Sequence, residues 1–208
     1  MNARGLSAII TIAKYFDEGE LLRIMNSTNG IITVFAGSAI RAFAQKMCDY
    51  LGVELGKSTT HIFSEGGIYV RADESIRNKD VYIVQSIGKD PNNAFTELIF
   101  WIDAFKRASA NSITAIIPYF GYAKADKKDE PRVSIRARVC ADCIEMCGAD
   151  RVVTMDLHAA QVQGFFSKPV DHLYASALLC EYARHLGIVN ENLVVVSPDA
   201  GSAKRARA

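Results

Sequence analysis

The sequence predicts an α/β fold, a doubly wound and mainly parallel sheet with a flap hairpin beside it. Three observations predict it. Short runs rich in Val and Ile recur along the chain, continuous rather than alternating, which suits parallel strands buried on both faces. Helix-length amphipathic stretches separate them and set a β-α-β-α rhythm. With 208 residues and 50% hydrophobic content, the chain is long enough to bury a core without disulfides or metals.

Taken in order, residues 1–29 read as an extension, helical from Ser7 and again from Glu18, closing on the turn-like stretch 26–30. The first strand is 30–35 (GIITVF), followed by a helix over 39–51. Residues 63–70 (FSEGGIYV) hold a Gly pair between β-prone segments and read as a hairpin beside the main sheet. Then come strand 80–85 (DVYIVQ), helix 93–109, strand 112–117 (SITAII) and helix 135–147. Strand 151–155 (RVVTM), helix 175–186 and strand 193–197 (LVVVS) complete the pattern. Gly148 and Gly187 stand just past two of the helices and mark their stops. The sequence holds no internal repeat and no low-complexity tract.

Composition narrows the function. Lys plus Arg total 24 and Asp plus Glu total 23, a net charge of +1, which argues against a protein that coats nucleic acid. No apolar run approaches the ~20 residues that span a bilayer, and the N-terminus lacks a signal-peptide pattern. Of five cysteines, Cys140, Cys143 and Cys147 first suggest a metal cluster, but the spacing also marks one helix face and no fourth ligand lies nearby. They read as small residues packed on a helix, in a reducing, cytoplasmic setting.

Ligands of such sheets bind beyond the C-terminal strand ends. That rule points to the segments after 112–117, 151–155 and 193–197. From 124 to 138 there are six basic and three acidic side chains. The stretch reads either as a solvated loop or as a polyphosphate site, with Asp126 or Asp129 holding the waters of Mg²⁺. Asp156 and His158 sit two residues apart at a strand end, where an extended chain points both the same way. Mg²⁺ prefers oxygen, so a His beside it is unusual.

The run at 156–171, DLHAAQVQGFFSKPVD, closely resembles the signature of the ribose-phosphate pyrophosphokinases, the phosphoribosyl pyrophosphate synthetases. Other stretches agree in the family's order: FAGSA at 35–39, FSEGG at 63–67, KDVYIVQS at 79–86, ELIFWIDAFKRASA at 97–110, IPYFGYA at 117–123, GADRVVTMDLH at 148–158 and VVSPDAG at 195–201. The resemblance covers about residues 30 to 208. It implies transfer of the β,γ-diphosphoryl group of ATP to the C1 hydroxyl of ribose 5-phosphate, with Mg²⁺ as cofactor. It implies two phosphoribosyltransferase-like α/β domains, assembled into dimers and usually hexamers. On this chain the first domain maps to 30–172, with 173–208 as the incomplete start of a second and 1–29 as an extension. A plain phosphoribosyltransferase shares the fold but gives no reason for the 156–171 run.

Carried over by position, His158 and Asp199 resemble the family's Mg²⁺-associated residues, and Asp156 and Asp171 lie in the same signature as supports for the metal or its waters. The flap, with Phe63 as stacking residue and Glu65, Gly66 and Gly67 behind it, matches the segment that reaches a neighbouring subunit's adenine site. Lys124 and Ala125, with Asp126 next to them, fall where the family has Arg-Gln contacting ATP. There are departures. The usual flap is FSDGE, so Glu65 reaches further than Asp and Gly67 offers no carboxylate. Lys124 keeps charge but loses a planar fork, and Ala125 removes an amide. The stretch 133–138 replaces a REPITAK-like one and adds positive charge. The family's catalytic Lys loop and ribose-phosphate loop are expected beyond Ala208. The expectation is therefore a truncated synthetase chain, inactive alone, with a non-catalytic regulatory or binding subunit as the alternative.

Overall fold

The computed structural model describes residues 32–189, 193–201 and 203. The predicted extension with its helices, and positions 30–31 of the first predicted strand, lie outside the described residues. The elements are β1 (Ile32–Ala36), α1 (Arg41–Leu51), β2 (Ser58–Ile62), β3 (Ile68–Ala72), β4 (Asp80–Val84), α2 (Pro91–Arg107), β5 (Ser112–Ile117), α3 (Arg136–Cys147), β6 (Arg151–Met155), β7 (Val170–Leu173) and α4 (Ser176–His185). Short 3-10 turns lie at Ser38–Ile40 and Ala160–Phe165.

Five strands form one sheet in the order β1-β4-β5-β6-β7, and every neighbouring pair is parallel. The continuous apolar runs are buried on both faces, as their composition predicts. Phe35, Ile83, Ile117 and Val152 face Trp101 and Phe105 of α2 and Ile144 of α3. Val34, Val84, Ile116 and Val153 face Ala44, Met47 and Cys48 of α1. The crossovers between successive neighbours place α2 and α3 against one shared core, on one face of the sheet. The link from β1 to β4 uses both faces. After α1 the chain rounds the β1 edge, where Gly56 N–H donates to the Val34 carbonyl at 2.7 Å. A Cβ on Gly56 would lie 2.6 Å from the Phe35 ring, so the close approach needs glycine there. The separate β2–β3 hairpin then docks on the α2 side, packing Val70 and Ala72 against the core.

Local signals account for the helix limits. Asp90 caps α2 by accepting from Asn93 N–H, with Pro91 in its first turn. Gly148 and Gly187 both take positive φ (121° and 67°) where the sequence placed stops. Two strand expectations need correction. Leu193–Ser197 is not a strand; its residues pair with no sheet neighbour among the described residues, and a strand exists only through such pairing. Conversely β7, too short and too polar to stand out as an apolar run, forms the far edge of the sheet. All five cysteines are free. Cys140 and Cys147 pack on the core, and Cys143 is half-buried. Among the described residues no helix is long and apolar enough to cross a membrane.

Candidate functional site

Beyond the end of β6 the chain makes a tight turn. Asp156 N–H donates to the Leu173 carbonyl at 2.9 Å, extending the β6–β7 pairing by one bond. Asp156 itself has φ +45°, a left-handed conformation that costs a non-glycine residue about 1 kcal/mol. Leu157 is buried in the core, while Asp156 and His158 on either side of it are exposed. The turn therefore presents an acid and an imidazole to solvent from a buried anchor, although the backbone is not extended there. Leu157 N–H donates to Nε2 of His172 at 2.9 Å. Burial pushes the His172 pKa down and outweighs the opposing Asp156 carboxylate, a shift that favours the neutral ring that can accept. The Gln163 side-chain amide lies 3.3 Å from His172 Nδ1, and the Tyr174 ring is 4.3 Å away.

The charged loop after β5 lies beside this turn. Ile87 N–H donates to the Tyr119 carbonyl at 2.9 Å, locking together the chain segments that leave β4 and β5. Phe120 and Ala123 are buried, and Ala137 N–H donates to the Ala125 carbonyl at 3.1 Å, fixing the loop to α3. Lys124 is left exposed, with Ala125 and Asp126 half-buried. Asp126 Oδ2 accepts from Gln161 Nε2 at 3.4 Å. Gln161 follows His158 by three residues, so the predicted nucleotide loop and the Asp156–His158 turn adjoin at the C-terminal edge of the sheet. Lys127, Lys128 and Arg132 are exposed along the same loop, while Arg138 pairs with Asp142 within α3 at 2.8 Å.

The flap is a five-residue turn between β2 and β3. Phe63 N–H donates to the Gly67 carbonyl at 2.8 Å, and Gly66 N–H to the Phe63 carbonyl at 2.9 Å. Gly66 has φ +89°, which explains a glycine at that place. Phe63 is exposed, edge-on to His61 (5.0 Å) and Tyr69 (6.3 Å). Glu65 is exposed and accepts from the Ser64 hydroxyl at 3.4 Å. Among the described residues no hydrogen bond or ion pair joins 63–67 to the charged loop or the turn.

The predicted metal residues are placed unequally. Asp156 and His158 stand together on the turn. Asp171 pairs in register with Val153, and its carboxylate is 2.7 Å from Arg151, at the start of β6 rather than its end. Asp199 lies exposed in the turn 198–201, and the Ser197 hydroxyl just before the turn donates to the Asp199 carbonyl at 2.7 Å. Among the described residues no three His, Cys, Asp or Glu side chains converge to cage a metal. That donor set fits Mg²⁺ only as an ion held by one or two protein groups, its waters and substrate phosphates.

Two groups at this end of the sheet escaped the sequence reading. Glu97 of α2 is fully buried and receives five donors: Ser38 N–H at 2.9 Å, the Ser38 hydroxyl, Gln85 Nε2 at 2.9 Å, and Thr60 Oγ1 and Trp101 Nε1 at 3.3 Å each. It ties the loop after β1, the hairpin, β4 and α2 together. The available signal was a carboxylate inside an otherwise apolar helix face. The other is His172, which lies one residue past the run at 156–171.

A profile of the N-terminal domain of ribose phosphate pyrophosphokinase matches residues 32–148, more than half of the chain. The chain belongs to the ribose-phosphate pyrophosphokinase family. It is 44% identical over 198 residues to the chloroplastic ribose-phosphate pyrophosphokinase 2 of Arabidopsis thaliana, covering 95% of this chain and 50% of that protein. The ribose-phosphate pyrophosphokinase of Porphyromonas gingivalis is 50% identical over 182 residues, 88% of this chain and 57% of its own length. The crystal structure of phosphoribosylpyrophosphate synthetase from Mycobacterium smegmatis superposes with a TM-score of 0.80 at 43% identity, covering 85% of this chain and 59% of that one. The chain thus spans about half the length of the curated relatives it matches. The α/β fold with its mainly parallel sheet is that of this pyrophosphokinase family.

Proposed function

We propose that this chain carries the ATP-facing half of ribose-phosphate diphosphokinase chemistry. The parent reaction moves the β,γ-diphosphoryl group of ATP to the C1 hydroxyl of ribose 5-phosphate, giving phosphoribosyl pyrophosphate and AMP. One observation carries the reading: the charged loop after β5 and the Asp156–His158 turn after β6 adjoin at the sheet's C-terminal edge, linked by Asp126 and Gln161. Lys124, Lys127 and Lys128 supply positive charge there for a triphosphate. Asp156 and His158 hold the metal or its waters, with Asp199 approaching from the following segment. Mg²⁺, when bound, offsets the charge on the transferring phosphates. Asp171 serves the site through β7, which its ion pair with Arg151 anchors. Adenine stacks on Phe63 of a neighbouring chain's flap, with Glu65 to Gly67 behind it, so self-association into dimers or hexamers completes the pocket. The reading places the protein in the cytoplasm, with ATP and ribose 5-phosphate as its small-molecule partners.

Calorimetry with a non-hydrolysable ATP analogue tests this. Mg²⁺ should raise the affinity of the wild-type chain, and His158→Ala should remove roughly tenfold of that gain. A metal-dependent gain that survives His158→Ala intact refutes the role of His158. Light scattering at high concentration should give a dimer or larger. A second reading, a nucleotide-binding subunit without turnover, is favoured by Gly67 and Ala125, which offer no polar side chain in the adenine pocket. Neither reading gives turnover by this chain alone, so release of AMP that depends on ribose 5-phosphate separates the two only once the chain is joined to the C-terminal half of a full-length relative.

A further inference from the structure

The Asp156–His158 turn has no continuing strand to hold it. Along β6, Val152 N–H and Asp156 N–H both donate towards β7, to the Pro169 and Leu173 carbonyls. By the alternation of a parallel ladder, Leu157 N–H would face β5 if the strand went on. It would find no ladder partner there among the described residues, because the β5–β6 pairing ends at Ile117 and Thr154. The left-handed backbone at Asp156 redirects the next peptide instead, and Leu157 N–H meets the imidazole of His172 at 2.9 Å. A side chain of β7 thus takes the place of a ladder carbonyl.

We propose that His172 is the positioning residue of this turn: its Nε2 accepts the Leu157 N–H and so holds Asp156 and His158 on the ligand side of the sheet. The role follows from placement. His172 pairs in register with Thr154, two residues before the strained Asp156. Its ring is braced by Tyr174 on one side and Gln163 on another. With Nε2 accepting, Nδ1 of the neutral ring carries the proton. The arrangement therefore needs one tautomer of a neutral ring. Only the consequence for nucleotide binding rests on the function proposed above.

Amide hydrogen exchange and ring ¹⁵N NMR on the full chain test this. Wild type should show His172 as the Nδ1–H tautomer and a protected Leu157 amide; an Nε2–H tautomer overturns the proposal. His172→Phe should speed Leu157 exchange by roughly tenfold or more while Val152 and Val153 stay unchanged. His172→Gln, which restores an acceptor, should recover part of the protection. Leu157 exchange that is unaltered in both variants overturns the proposal, and the tautomer and the Gln variant decide it if the Phe variant fails to fold. In calorimetry His172→Phe should lose roughly tenfold of the Mg²⁺-dependent gain in ATP-analogue affinity, with metal-free binding unchanged. If wild type shows no Mg²⁺-dependent gain, the functional reading fails while the exchange and tautomer results still decide the role of His172.

Discussion

Burial decides which of the five thiols can react. The Cys48 thiol is pushed up to about 11 by burial, with Asp49 adding to it, and Cys140 to about 12 by burial and then Cys143. Cys147 is raised for the same first reason. The thiolate is the nucleophile, so a raised pKa keeps these sulfurs protonated and inert at neutral pH, and their reactivity rises only in strong alkali. Cys180 is the exposed one, on α4. Iodoacetamide at pH 7 should therefore label Cys180 in the native chain and reach Cys48 and Cys140 only after denaturant is added. Mass mapping that finds Cys48 labelled as fast as Cys180 would contradict this. The spacing of Cys140, Cys143 and Cys147 already read as a helix face. It could not say that Cys143 stands partly off the core, because a helix face is wider than the strip its neighbours cover.

The hairpin is the element whose placement depends most on one distant residue. Glu97 links it through Thr60 to the loop after β1 through Ser38, contacts spanning 37 and 59 residues of sequence. Glu97→Ala leaves several buried donors without an acceptor and should cost roughly 3 kcal/mol in urea unfolding. Glu97→Gln, which keeps one oxygen, should cost less; equal stability of the Ala variant and wild type would sink the idea. At the hairpin's base, Asp73 is held below the ordinary 3.8 by the Thr59 hydroxyl and Arg71. Burial pushes Glu74 up, but Lys57 N–H and Lys79 outweigh it and leave it below 4.5. Both groups are depressed, so what they contribute is complete above those ordinary values and fades as pH falls through the lower folded ones. Exchange at residues 58–72 should accelerate below about pH 4 before β5 and β6 do; simultaneous loss of protection would count against it. The same contrast explains what the sequence could convey. Strands 112–117 and 151–155 were legible to the residue, because buried parallel strands are continuous apolar runs. The flap turn was legible from Gly66 and Gly67. The Glu97 and His172 contacts were not, because each is a single polar side chain whose partner is set by topology.

At the scale of the whole molecule, the core and its surface obey different rules. The sheet and its helices bury Trp101, Phe35 and Phe105 completely. The segment after α4 behaves in the opposite way. Val194, Val195 and Val196 are 78, 65 and 80% exposed, next to exposed Leu193, Leu186, Ile188 and Val189. Composition alone marked 193–197 as a buried strand, and it fails as one because β propensity reports a fit to a pleated, half-buried surface rather than an intrinsic preference. An unpaired run of valines remains a template for edge pairing, and its apolar side chains remain in water. Dye binding by this chain, and association beyond that made by the flap, should therefore centre on that run. Val194→Lys combined with Val196→Lys should lower fluorescence of an apolar dye and raise the concentration at which the chain associates. The cost in unfolding free energy should stay within about 0.5 kcal/mol, because neither side chain contributes to the core. The flap tip is the second exposed apolar feature, through Ile62, Phe63 and Tyr69, and Phe63→Ala serves as the control. If the valine pair leaves association unchanged while Phe63→Ala abolishes it, self-association runs through the flap, as a shared adenine pocket requires. If the valine pair abolishes it and Phe63→Ala does not, the association is generic apolar contact and offers no support for a pocket shared between chains.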